Sequence, residues 1–406
     1  MRVLIGPGMA PVNQGGHFAG GAAMATYEIA RSLSELGHEV YLATLHDFTG
    51  SSEKTLHILP RRKLWELFKA SPRIAWKLIK GERNVAKYYD HPSLLEEARF
   101  LGVRLYWKKL IDRIKPDMIS IHGNNLDRLP MILSAVESCI PFAFTSHGIS
   151  EEEEVRYDLK VFLKDFFGFL KSNEIPVISV SSGLRSKIVD DIGYKSELCT
   201  VIGNGISHEF LNRASEIREK NLSEKGRTQS NRIKLITVGS LIKRKNHIKV
   251  LEAMKHLSEN YEYVIVGDGP ERDNLHDFVH ANGLAKRIHF TGRLLGDELI
   301  EAYSECDLFV LTSISEAFGL VFLEALACGL PVVTMKDLEG VRDIYHPDCF
   351  ELVEKYDSVE LAEAIEKSAE KIGKEQMMEY VRQFSWERVG TQYDKTFTDL
   401  AAHNHG

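Results

Sequence analysis

SISEAFGLVFLEALACGLPVV, Ser313 to Val333, lies between two strand-like runs, DLFVLTS before it and LPVVTM at its end. The segment GLVFLEALACG reads as a helix stopped by Gly329, so the whole is a β-α-β unit and implies a parallel sheet. Two carboxylates, Glu316 and Glu324, stand eight positions apart in this otherwise almost wholly apolar stretch. An ionised carboxylate removed from water without a partner is costly or takes up a proton. Either the protein or a ligand must therefore pair with them.

Working outward, IKLITVGS, YEYVIVGDGP and IHFTG read as further strands, with a helix running through Ala253 between the first two. The N-terminal half repeats the architecture and not the sequence. RVLIG opens it, a helical pattern runs from Gly21 to Leu36, and EVYLAT, DMISIHG, PFAFTSHG and PVISVSS follow as strands. Alternating buried strands and helices imply parallel sheets covered on both faces. VIGNG, a strand ended by a turn signal, places the junction near Asn204-Gly205. The polar run from Arg213 to Asn231 reads as a surface excursion or flexible loop. The expected architecture is α/β: two doubly wound, Rossmann-like domains facing across a deep cleft, with ligands at the carboxyl ends of the strands.

A chain of 406 residues, 44% hydrophobic and 27% charged, suits two globular domains. A net charge of −7 argues against nonspecific nucleic-acid binding. The five cysteines are scattered and form no CxxC pair, which suits a reducing cytosol and offers neither a disulfide frame nor a zinc site. Met1-Arg2 leads straight into a strand, so no secretory leader is expected, and no apolar run is long enough to span a membrane.

Several strand ends carry chemistry. Glu316 falls in a loop at the sheet's carboxyl edge. The amides around Phe318 to Val321 open a helix and suit a phosphate. Glu324, one turn into that helix, could accept two hydrogen bonds from a vicinal diol such as ribose, or pair with an Arg or Lys. In GSLIKRKNH, the cations Lys243, Arg244 and Lys245 precede a helix, where positive charge is disfavoured unless an anion is present. His147, in TSHGIS, ends a strand and could donate to a hydroxyl or phosphate; His122, in SIHG, holds a similar position with a weaker claim. Ser150 and Glu153 fit a capping box. GPGMAP near the start lacks the third glycine of a dinucleotide loop, having Pro11 there, and no GxxxxGK[ST] occurs.

Taken together, these motifs resemble the retaining glycosyltransferases of family 4, which have the GT-B fold. VGSLIKRKN, VIVGDGPERDNL, IHFTGRL and SEAFGLVFLEALACGLPVV carry the resemblance through the second domain; Gly20-Gly21, the SHG step at His147 and VSSGLRSKI carry it through the first. FSWERV, Phe384 to Val389, is similar to the point where the last helix crosses back. The implied domains are 1–205 on the acceptor side, 206–384 for the nucleotide sugar, and 385–406 as the returning helix.

The resemblance implies roles. Glu316 would lie against the donor sugar hydroxyls, with the Ala317, Phe318, Gly319 and Leu320 backbone beside sugar and phosphate. Glu324 would hold the ribose, and the hydroxyls of the ligand would supply the partners that both carboxylates need. Lys245 would neutralise the pyrophosphate, aided by Arg244 or Lys243, because Ser240 stands where the family often has Arg. Gly267 belongs to the VGDGP turn; Arg293 and Leu294 would border the base. Gly20 and Gly21 would allow close approach to the diphosphate, and His147 would touch the donor sugar. Catalysis would need neither a metal nor a cofactor beyond the nucleotide-sugar donor, with UDP favoured over GDP, and domain closure would exclude water.

The acceptor is expected to be a glycan, a lipid-linked glycan or a small alcohol, which places the chain in polysaccharide biosynthesis. Residues 61–83 carry eight cations and two acids interleaved with Trp65, Phe68 and Trp76. They read either as a contact with anionic lipid or a lipid-linked acceptor, at the cytoplasmic membrane face, or as a solvated helical pair packing its aromatics inward. Two alternatives remain: a nucleotide-sugar 2-epimerase, which shares the fold but lacks SEAFGLVFLEA, and a binding protein without catalysis, suggested by Ser240.

Overall fold

LFVL, apolar on both faces, and MISIH, which carries the polar Ser120 and His122 on one face, become strands whose side chains are buried throughout. The computed structural model describes residues 1–8, 21–44, 55–59, 94–123, 128–149, 166–225, 232–371 and 376–403. Gly20, residues 61–83 and the Ser150–Glu153 pair lie outside the described residues. The chain divides into two compact units, Met1–Gly203 with Trp386–Gly406, and Asn204–Ser385.

The first unit is built on a seven-stranded parallel sheet of order β3-β2-β1-β4-β5-β6-β7. Its strands are β1 Arg2–Gly8, β2 Glu39–Thr44, β3 Leu56–Leu59, β4 Met118–His122, β5 Phe142–Ser146, β6 Val177–Ser179 and β7 Cys199–Val201. Val3 sits opposite both Val40 and Met118, placing β1 in the middle. Helix Gly21–Glu35 packs against the C-terminal helix Trp386–His403 at Gly390, where a Cβ would come within 2.6 Å of the Ser32 Cβ. His38 Nε2 also meets Asp394 Oδ1 at 2.9 Å.

The second unit holds a six-stranded parallel sheet of order β10-β9-β8-β11-β12-β13. Its strands are β8 Ile233–Val238, β9 Tyr261–Val266, β10 Ile288–Gly292, β11 Leu308–Leu311, β12 Val332–Met335 and β13 Phe350–Val353. One expectation is corrected here. The polar run starting at Arg213 is no loop as far as Lys225, because helix His208–Lys225 spans it. Leu211, Ala214 and Ile217 are buried on one side, while Arg213 forks onto Asp297 at 3.0 and 2.8 Å on the other. A sparse apolar stripe inside a charged segment is enough to anchor a helix. Among the described residues no helix is long and apolar enough to cross a membrane.

Candidate active site

In the second sheet the strand order reverses between β8 and β11. Loops leaving these two carboxyl ends run to opposite sides and open a crevice, the usual ligand position in such sheets. Lys245 follows β8 and Glu316 follows β11, and the two meet there: Lys245 Nζ donates to Glu316 Oε2. Both side chains are largely buried, at 11% and 16% exposure. Arg244 Nη1 stands 3.9 Å from the same carboxylate oxygen and donates to the Ser315 carbonyl at 2.8 Å. Lys243 is exposed, so Arg244 is the second cation that reaches in. Ser240 is exposed, and its carbonyl accepts from His247 Nε2 at 3.3 Å.

The loop that presents Lys245 is held by close backbone packing. Gly267, after β9, has φ +147°, and a Cβ there would fall 1.8 Å from the Gly239 carbonyl oxygen. Leu241 N donates to Asp268 O at 3.0 Å, and Glu271 N to Leu241 O at 2.9 Å. Only glycine fits such a contact, so the VGDGP turn acts here as a buttress.

The loop that presents Glu316 is clamped from the far side by two residues that motif spacing missed. The Glu339 carboxylate accepts from Glu316 N at 3.1 Å and from Ser315 Oγ at 3.3 Å, and Gly340 N donates to Glu316 O at 2.9 Å. A Cβ on Gly340 would lie 2.3 Å from Phe318 Cα. The signal in the sequence was an acid followed by glycine just beyond strand LPVVTM. Phe318 buries its side chain, so it can offer a ligand only its backbone. Gly319, at φ +80°, turns the chain into helix Leu320–Ala327.

Glu324 lies on that helix, and its partner is neither an Arg nor a Lys. The Tyr303 hydroxyl, from helix Gly296–Ser304, donates to Glu324 Oε2 at 2.9 Å. Burial raises the Glu324 carboxyl above the usual carboxylate range, and the tyrosine hydrogen bond opposes that rise. The protein itself thus supplies partners for both carboxylates, Lys245 for one and Tyr303 for the other. This corrects the expectation that the ligand alone would do so. Arg293 is exposed and Leu294 half-buried in the loop after β10, two strands from the switch point.

In the first unit, Gly21 is the exposed first residue of its helix. His147, after β5, is bonded through Nε2 to Nδ1 of His122, the last residue of β4, at 3.0 Å. His122 Nε2 in turn meets Ser120 Oγ at 2.9 Å. Arg128 Nε donates to the His122 carbonyl at 2.7 Å. Burial, then the Arg128 charge, push His147 down to about 4. His122 is lowered well below its ordinary value by burial, its neighbour His147 and Arg128. Tyr393, on the C-terminal helix, lies with its ring 6.4 Å from that of His122.

Two family models match, Glycosyltransferase Family 4 over residues 19–210 and Glycosyl transferases group 1 over residues 218–383. The chain belongs to family 4 of the glycosyltransferases. This family 4 glycosyltransferase is 33% identical over 171 residues to an uncharacterized glycosyltransferase of Methanocaldococcus jannaschii. That match takes in 41% of this chain and less than half, 44%, of the relative. It is 26% identical to TuaC of Bacillus subtilis, named for teichuronic acid biosynthesis, over 88% of this chain and 89% of that one. Among solved structures, HepE of Anabaena in complex with UDP and glucose aligns over 98% of this chain and 99% of its own, with a TM-score of 0.66 and 19% identity. The fold is GT-B.

Proposed function

We propose that the protein is a retaining glycosyltransferase that moves a sugar from a nucleotide diphosphate sugar, UDP-linked in first preference, to a hydroxyl of a glycan or lipid-linked acceptor. The observation that carries the reading is the meeting of Lys245 and Glu316 at the switch point of the second sheet. A diphosphate seated there finds Lys245, Arg244 and the amides at Gly319 and Leu320, which stabilise the negative charge that develops as the sugar departs. Glu316, held by Lys245 and by the Glu339 clamp, faces the sugar hydroxyls. Glu324 keeps Oε1 for the ribose while Tyr303 occupies Oε2. His147 is proposed as the residue that donates a hydrogen bond to the sugar. With cations and amides sharing the diphosphate charge, no metal is needed for the chemistry.

UDP as donor is supported by the UDP complex of HepE, and a polysaccharide acceptor by the name of TuaC. The cations and aromatics of residues 61–83 are the segment proposed to meet anionic lipid; flotation with anionic liposomes tests it, and binding unchanged by Lys/Arg→Gln substitution there sinks it. The transferase reading is tested by incubating the protein with UDP- and GDP-sugars, with and without EDTA, and following diphosphate release and products. Transfer or slow hydrolysis with retained anomeric configuration is expected, undiminished by EDTA. Release of a free epimerised sugar, or binding without turnover in the presence of acceptor extracts, would overturn it.

A further inference from the structure

We propose that Ser120 and His122 are positioning residues that fix the tautomer of His147, so that His147 presents a protonated Nδ1 and acts as a hydrogen-bond donor, not as a base. The three residues form one chain: Ser120 Oγ to His122 Nε2 at 2.9 Å, and His122 Nδ1 to His147 Nε2 at 3.0 Å. The imidazole centroids lie 5.2 Å apart with planes 24° from parallel. That separation is close to one N···N bond plus the two ring radii, so the rings meet edge to edge through nitrogen.

The direction of the chain follows from its buried end. Ser120 is fully buried, and the His122 ring is its hydroxyl's only hydrogen-bond partner among the described residues. Were Ser120 the acceptor, its own O–H would be left without a partner in a dry site, the more costly arrangement. Ser120 therefore donates, and His122 Nε2 is bare. A neutral His122 then carries its proton on Nδ1 and donates it to His147 Nε2. A neutral His147 is left protonated at Nδ1, which no described residue occupies.

The surroundings keep both rings neutral. The Arg128 guanidinium anchored on the His122 carbonyl disfavours a second positive charge, and among the described residues Thr145, opposite His122 on β5, and Tyr393, whose ring lies against His122, are uncharged. Gly123, with φ +107°, admits Arg128 this close; a Cβ there would lie 2.9 Å from Arg128 Nε. Two adjacent histidines thus serve as wire and tip, not as two acids.

The assignment of the tip to the donor sugar rests on the transfer reading, whereas the tautomer is measured with no sugar present, so the two can fail separately. The experiment is long-range 1H–15N correlation on the full chain labelled with 15N-histidine, with the His147 signals identified by their loss in His147→Gln. At neutral pH the expected result is a single His147 tautomer, protonated at Nδ1 and bare at Nε2. A protonated Nε2 in the wild type overturns the proposal without any variant being needed. Ser120→Ala should give a mixture of tautomers and a transfer rate lower by about fivefold, the worth of one neutral hydrogen bond. Ser120→Thr should restore both. An unchanged His147 tautomer in Ser120→Ala also overturns it.

Discussion

Lys245 and Glu316, 71 residues apart in sequence, share one largely buried ion pair at the point where the second sheet reverses its strand order. Removing either member leaves the other's charge less compensated, with Glu316 keeping only the Arg244 cation at 3.9 Å, at a cost of up to about 3 kcal/mol in a buried pair, whereas removing both does not. Lys245→Met and Glu316→Gln should each lower the melting temperature by several degrees, and the double variant should regain most of that loss. Transfer should fall about a hundredfold in Lys245→Met, comparable to losing one charge-stabilising donor, and stay low in the double variant. Recovery of activity together with stability would mean that the pair is only structural.

Tyr303 and Glu324 give a prediction with a pH signature. The tyrosine bond favours the ionised carboxylate against burial, which raises its pKa. Tyr303→Phe removes that support, so the Glu324 carboxyl must rise further. Donor KM should increase about tenfold, the loss of one hydrogen bond to a charged group. The acid limb of the kcat/KM profile should move to higher pH than in the wild type. A larger KM with no displacement of that limb would place the effect elsewhere than on Glu324.

The Glu339-Gly340 clamp separates positioning from stability. Gly340→Ala drives a Cβ to 2.3 Å from Phe318 Cα and should destabilise the second unit by roughly 1–3 kcal/mol, the scale of overpacking. Glu339→Gln keeps the shape but weakens acceptance from Glu316 N and Ser315 Oγ. It should lower kcat severalfold while leaving the melting temperature within a few degrees of wild type. If kcat holds, the Glu316 loop needs no support from this side.

Much of this was legible in the sequence, for reasons the structure makes plain. Strands buried on both faces, such as LFVL, announce themselves as unbroken apolar runs. Lys245, Glu316 and Glu324 drew notice because charge in an apolar or helix-opening context demands a partner. Which partner could not be read, because Tyr303 lies on an amphipathic helix and Ser120 inside a strand, where a lone hydroxyl carries no local pattern. Glu339 was missed because its role depends on β12 lying beside β11, a fact of sheet order. Helix His208–Lys225 was misread since only a few buried residues anchor it among many charges.

His247 offers a last prediction, on stability. Burial, with a smaller contribution from the Lys245 charge, pushes its imidazole down to about 4, although the hydrogen bond to the Ser240 carbonyl works the other way. The unfolded chain binds this proton near pH 6.5. Between pH 6.5 and 4 the unfolded state therefore holds more protons than the native one, and stability is lost as pH falls through that window. Above it the contribution is intact, and below about pH 4 the loss levels off. Integrated, the cost is about 3 kcal/mol. His122 and His147 add losses of the same sign in the N-terminal unit. Denaturant melts of wild type and His247→Gln at pH 7 and pH 4.5 isolate the His247 share, because carboxylate effects are common to both proteins. The gap between the two pH values should be smaller in the variant, and an equal gap would show that this ring titrates alike in the folded and unfolded chains.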